Sequence, residues 1–178
     1  MSPEGGCPTL YGMEMLNDSA LDPLLQRSLR RSELEDRPGA PLDADALCTL
    51  LLRLDEALLP QGQVLFQGLG PSVTPLFRGL GAELLLVRWR AGQHTPVEEL
   101  GDSALAIRPL SGGLELQSYV PVGRRVAELR ASLSIRPGQL AGVPRGAVHA
   151  LVAVEASVSL HLCSPPVVVR TRFQPLSS

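Results

Sequence analysis

The chain has no lysine, and all its basic charge sits on arginine. That bias fits a GC-rich coding sequence and points to no chemistry. There is no basic block either, and the formal net charge is −2, so nucleic-acid binding has no electrostatic support. Apolar runs are short: Leu84–Val87 and Val148–Val154 are the longest, and neither can span a bilayer. Cysteines are few and scattered, at Cys7, Cys48 and Cys163. With an odd count and no CxxC pair, neither a zinc knuckle nor a disulfide framework is indicated. A reducing cytoplasm is the expected compartment. Met1 to Leu10 has neither a basic n-region nor an apolar h-region, so no signal peptide is expected. Aromatics make up only 3%, which leaves Leu, Val and Ala to fill the core. What remains is apolar enough, at 44%, to exclude disorder throughout, and 178 residues suit one domain with an N-terminal addition.

The pattern changes once along the chain. Leu21, Leu24, Leu25 and Leu29 fall at helical spacing within residues 20–34. Pro38-Gly39 and Pro41 mark a linker. Asp43 is then an N-cap candidate for a helix whose stripe is Leu47, Leu50, Leu51, Leu54 and Leu58, ended by Pro60. From residue 62, Gly and Pro recur between short apolar runs. These runs are Val64–Phe66, Glu83–Trp89, Ser103–Arg108, Leu114–Val120, Ala131–Ile135, Ala147–Val154 and Val158–Leu162. Short strands with regular turn signals predict an all-β sandwich or barrel. The expected organisation is a helical region over 1–60 and a barrel over 61–178. An echo, Leu65-Phe66-Gln67-Gly68 and Leu76-Phe77-Arg78-Gly79, has too few copies for a repeat protein.

Two stretches carry a resemblance. Gly92 and Gly112 stand where the first motif of the cupins has its opening and closing glycines. Gly138, Pro144, Gly146 and His149 match their second motif of Gly, five residues, Pro-x-Gly, two residues, His. The implied fold is all-β, the cupin double-stranded β-helix or jelly-roll barrel, with short N-terminal α-helices. More closely, Trp89-Arg90-Ala91-Gly92-Gln93-His94-Thr95-Pro96-Val97 resembles the W-x-P-G-Q-x-T-P-I stretch of bacterial cysteine dioxygenases. Ser157-Val158-Ser159-Leu160-His161-Leu162-Cys163-Ser164-Pro165-Pro166 resembles that family's A-V-S-L-H-x-Y-S-P-P.

The resemblance implies a thiol dioxygenase that holds Fe(II) on three neutral histidines and converts cysteine to its sulfinate. It also implies where this chain departs. A His-Asp-His should follow Val97, but Glu98-Glu99-Leu100 stands there. His149 is the one inherited metal ligand. Glu98 could supply an oxygen, and His94 is the other nearby donor. In the family's Ser-x-His-x-Tyr row, Ser159 and His161 are kept and Cys163 replaces the tyrosine. Arg78 is the candidate for the substrate carboxylate. Leu105 replaces the residue that forms a thioether cross-link in some members, so none can form.

Structural alternatives stand beside these roles. His149 fits an inherited barrel histidine, and Ser159 with His161 a structural hydrogen-bond pair. Cys163 fits a small buried hydrophobe, although His161 shares its strand face and a Cys–His pair is open. Glu98 and Glu99 point to opposite faces, so they cannot act on one atom. An inward Glu98 is expected to carry a raised pKa or to find a partner, with Arg88 and Arg108 the candidates; the rival reading is a relaxed, partly solvated mouth. The sequence therefore supports three functions: a degenerate cysteine-dioxygenase-like cupin with little or no activity, an active iron enzyme with an altered ligand set drawn from His149, Glu98 and His94, or an interaction module docking through its leucine-rich helices. A small thiol or amino acid is the expected ligand, with no nucleic acid and no membrane as partner.

Overall fold

The computed structural model describes residues 41–54 and 70–176. The expected helix over 20–34, the strand at Val64–Phe66 and the first copy of the echo lie outside them. Ten strands and one helix are described: α1 (Ala44–Leu52), β1 (Ser72–Arg78), β2 (Glu83–Trp89), β3 (Val97–Glu99), β4 (Ala104–Ser111), β5 (Leu114–Gly123), β6 (Val126–Ile135), β7 (Ala141–Val143), β8 (Val148–Ala153), β9 (Ser157–Ser164) and β10 (Thr171–Pro175). They form two sheets, β1-β2-β9-β4-β7 and β10-β3-β8-β5-β6. The second closes on itself through a short parallel pairing of Gln174 and Pro175 with Val126 and Ala127.

Strand alternation sorts the side chains into three cores. Between the sheets lie Val87, Trp89, Leu105, Ile107, Leu114, Leu116, Leu151 and Ala153. The opposite faces of the same first-sheet strands present Leu84, Leu86, Ala104, Ala106, Leu160 and Leu162 to Leu47, Leu51 and Leu54 of the helical region. Val97, Ala127, Val148 and Ala150 form a third, small cluster on the other face of the second sheet, with Tyr119 and Phe173 packed against it. Low aromatic content is thus met by aliphatic packing, with Trp89 the largest fully buried side chain.

Asp43 caps α1 as expected, its Oδ1 accepting the Ala46 N–H at 2.9 Å. The helix is shorter than the leucine stripe suggests. It ends at Leu52, and Arg108 reaches from β4 to donate to the Leu51 and Leu54 carbonyls at 2.9 and 3.1 Å. Gly142 on β7 lets the helix approach: a Cβ there would sit 3.0 Å from that of Ala44.

Both first-motif glycines have left-handed backbone, with φ of 80° at Gly92 and 68° at Gly112. Only Gly112 is also crowded, since a Cβ on it would stand 2.9 Å from Ser157 Cα, whereas Gly92 has open space. Gly92→Ala should therefore cost about 1–2 kcal/mol, from backbone strain alone. Gly112→Ala should cost about 4 kcal/mol or more, because the β5–β9 junction must shift as well. Urea unfolding of the two variants checks the ranking.

Candidate functional site

Alternation along β9 turns Ser157, Ser159, His161 and Cys163 into the barrel, while Val158, Leu160 and Leu162 pack outward under the helix. The neighbours of the inward row are set by register. Val87, Leu85 and Glu83 of β2 oppose Ser159, His161 and Cys163 on one side, and Pro109, Ile107 and Leu105 of β4 oppose them on the other.

A hydrogen-bond chain runs through this row. Trp89 Nε1–H donates to Ser159 Oγ at 2.9 Å, and Ser159 Oγ lies 3.0 Å from His161 Nε2. The serine oxygen accepts from the indole and keeps both its own hydrogen and a second lone pair for His161 Nε2. The Trp89 and His161 rings lie 6.1 Å apart, tilted by 35°. Burial pushes the His161 pKa down to about 3, with His149 and Arg170 adding to the shift. The imidazole is therefore neutral near pH 7. Its Nε2 is committed to Ser159 and not to Cys163.

Across the barrel, His149 on β8 is opposed by Glu98 of β3 and by Ser118 of β5. Its Nδ1–H donates to the Ala147 carbonyl at 3.3 Å, which leaves the Nε2 lone pair open. Burial lowers its pKa first; the Ala147 bond works in the other direction, and Arg170 lowers it further. Glu98 faces the interior, with its side chain 4% exposed. Its partner is neither Arg88 nor Arg108. Arg170 Nη1 meets Glu98 Oε1 at 2.6 Å. Arg108 is spent on the carbonyls of the helical region, and Arg88 alternates to the outer face of the first sheet, opposite Val158. Neither can reach a carboxylate turned inward from the other sheet.

The remaining candidates separate. Arg78 ends β1 with its Nε 3.7 Å from Glu83 Oε2, at the rim and half exposed. His94 is exposed and bonded through Nδ1 to the Thr95 carbonyl, and its bridge to Val152 puts it on the outward face of the second sheet. Leu100 and Leu105 are buried in the interior core. Cys163 is 3% exposed; burial pushes its thiol up to about 12, with Glu83 and Glu98 raising it and Arg170 opposing. It is a protonated, inert thiol at neutral pH.

Ferrous iron does not fit this donor set. Among the described residues no three His, Cys, Asp or Glu side chains come together in a way that could hold a metal ion. His149 keeps an open lone pair, but the Glu98 carboxylate beside it is already engaged by a guanidinium. The third position is a leucine. A cleft of about 330 Å³ at the β10–β6 closure, lined by Arg124, Arg125, Arg172 and Phe173, contains none of the expected site residues.

Arg170 and Trp89 are the participants that sequence reasoning missed. Trp89 was reachable, since period two from Glu83 puts Glu83, Leu85, Val87 and Trp89 on one face. Arg170 left no such signal, because its pairing depends on the path of an irregular segment.

No family model matches the chain, and no curated protein matches it. Solved structures do. An uncharacterized conserved protein with a double-stranded β-helix domain from Klebsiella pneumoniae aligns with a TM-score of 0.51 at 12% identity, over 62% of this chain and 84% of its own. The cupin domain of Schizosaccharomyces pombe Cnp3 aligns with a TM-score of 0.47 at 17% identity, over 57% and 68%. An RmlC-like cupin protein from Desulfovibrio desulfuricans gives 0.45 at 19%, over 64% and 92%. The chain has the cupin, double-stranded β-helix fold. Likeness at this identity establishes architecture and not chemistry.

The His161 shift sets a pH dependence. Its folded pKa of about 3 lies below the ordinary 6.5, so the unfolded chain binds more protons between those values. Stability should be full above pH 6.5 and fall toward pH 3, by up to about 1.4 kcal/mol per pH unit from this residue. His161→Gln should flatten that part of the profile. Urea unfolding of both proteins between pH 7 and pH 4 checks it, and equal slopes would remove the assignment.

Proposed function

We propose that the chain is a cysteine-dioxygenase-like cupin that no longer works through iron, with little or no thiol dioxygenase activity. Its barrel keeps an interior site for a small thiol or amino-acid ligand. One observation carries this reading. Glu98, at a position where the resemblance calls for a ligand histidine, is buried and ion-paired to Arg170 at 2.6 Å. A site that already holds a guanidinium against its carboxylate repels a divalent cation. The neighbouring position, Leu100, offers no donor atom.

What supports a retained ligand site is the polar lining. His149 presents an open Nε2, and Arg170 is only partly covered, its side chain 36% exposed. A reducing cytoplasm belongs to the same proposal, resting on the free thiols Cys48 and Cys163. The docking alternative is weakened by α1, whose Leu47 and Leu51 are fully buried against the first sheet. Among the described residues no helix is long and apolar enough to cross a membrane.

The test is metal and oxygen stoichiometry. The full chain and its His149→Ala variant are loaded anaerobically with ferrous iron, and bound metal and oxygen uptake with cysteine or other small thiols are measured. Bound iron should stay far below one per chain in both proteins, with no uptake. Stoichiometric iron that His149→Ala abolishes would overturn the proposal in favour of an active site on His149 and Glu98.

A further inference from the structure

β9 ends at Ser164 in the first sheet, and β10 begins at Thr171 in the second. The segment 165–170 must therefore cross from one sheet to the other. It does so over the end of the barrel where Cys163 is the last inward residue of β9, with Glu83 opposite it.

The crossing segment has few anchors. Val167 packs against the interior core and donates its N–H to Glu83 Oε1 at 3.0 Å. Val169 runs beside Gly101 in the β3–β4 turn, where a Cβ on the glycine would stand 3.9 Å from Val169 Cβ. Arg170 is tied to Glu98 at 2.6 Å. Residues 165–170 have no strand pairing, and Val168 and Val169 are 86% and 62% exposed. Two interior carboxylates thus supply the side-chain acceptors that hold the segment down. Segments with so little buried apolar contact open at a fraction of the global unfolding free energy. Opening would also bring Arg170 and Glu98 to water, where separating two charges costs far less than in the interior.

We propose that residues 165–170 form a strap that gates the interior site, with the Arg170–Glu98 ion pair as its latch. Opening exposes the end of the barrel holding Cys163 and His149 and admits a small ligand there. The role of the gate rests on the interior being a ligand site, as proposed above; the opening itself does not.

Cys163 reports the opening. The full chain is treated with iodoacetamide at pH 8.5, and modification at Cys163 is followed by peptide mass spectrometry. Three results are expected. The wild-type rate should be nearly independent of low urea, the mark of local opening. Glu98→Gln combined with Arg170→Met should raise it at least about tenfold, which corresponds to about 1.4 kcal/mol less to open. The two lost charges act on the thiol in opposite directions, so a faster reaction reports access and not acidity. Removing both also strands no buried charge. Gly101→Cys combined with Val169→Cys should close a disulfide, since the Cβ separation lies in the bonding range. That lock should slow modification at least about tenfold until reduced.

An unchanged rate in the latch-free variant would overturn the gate. If that variant does not fold, the lock decides alone, and unchanged modification in the oxidised form is fatal. A wild-type rate that follows urea with the full slope of global unfolding would also sink it. The readout needs neither iron nor turnover. A negative result removes the gate and leaves the proposed function standing, whereas iron-dependent turnover removes that function and leaves the gate.

Discussion

β9 is the strand on which the rest of the molecule depends, and its constraint is the two-residue period. It lies between β2 and β4 in the middle of the first sheet, so neither face can be left to water. The outward face is uniformly apolar, Val158, Leu160 and Leu162, because it meets the helical region. The inward face is Ser157, Ser159, His161 and Cys163, small or polar groups in an interior otherwise filled by Leu, Ile and Val. Such a face survives only if each polar atom is matched. Trp89 matches Ser159, Ser159 matches His161 Nε2, and no buried side-chain nitrogen or oxygen among the described residues lacks a partner.

The same requirement explains the ion pair. Glu98 sits where alternation points it inward, and an isolated carboxylate there would be strongly penalised. A metal ion is one solution, and an arginine is another. Arg170 comes from the far end of a crossing segment and supplies the positive charge with a directed hydrogen bond at 2.6 Å. Burial lowers the pKa of both interior histidines, and Arg170 adds to that shift. One guanidinium therefore balances the carboxylate and ties down the segment that carries it.

Much of the architecture was legible. The run Glu83–Trp89 is β2 residue for residue, and the runs around β4, β5, β8 and β9 fall within one to three residues of their strands. These strands carry either clean alternation or long apolar stretches bounded by Gly and Pro. β1, β7 and β10 were not seen, and β3 was read only from the motif around Glu98. β1 contains Pro75 and Arg78, and β3 and β7 are three residues each, too short to show any period. β6 is longer than its apolar run because its first half, Val126 to Arg130, alternates poorly and is held by β5.

The sequence alone determined the barrel, the turns at Gly92 and Gly112, the cap at Asp43 and the inward direction of His149 and the β9 row. Each follows from local rules: left-handed glycines, a capping oxygen, and a period of two. Only the tertiary structure decided what the inward groups meet. Glu98 and Arg170 are 72 residues apart, and Trp89 and Ser159 are 70 apart. No local propensity encodes such pairs. They are fixed by register between strands and by the path of an unpaired segment, which exist only once both sheets are built.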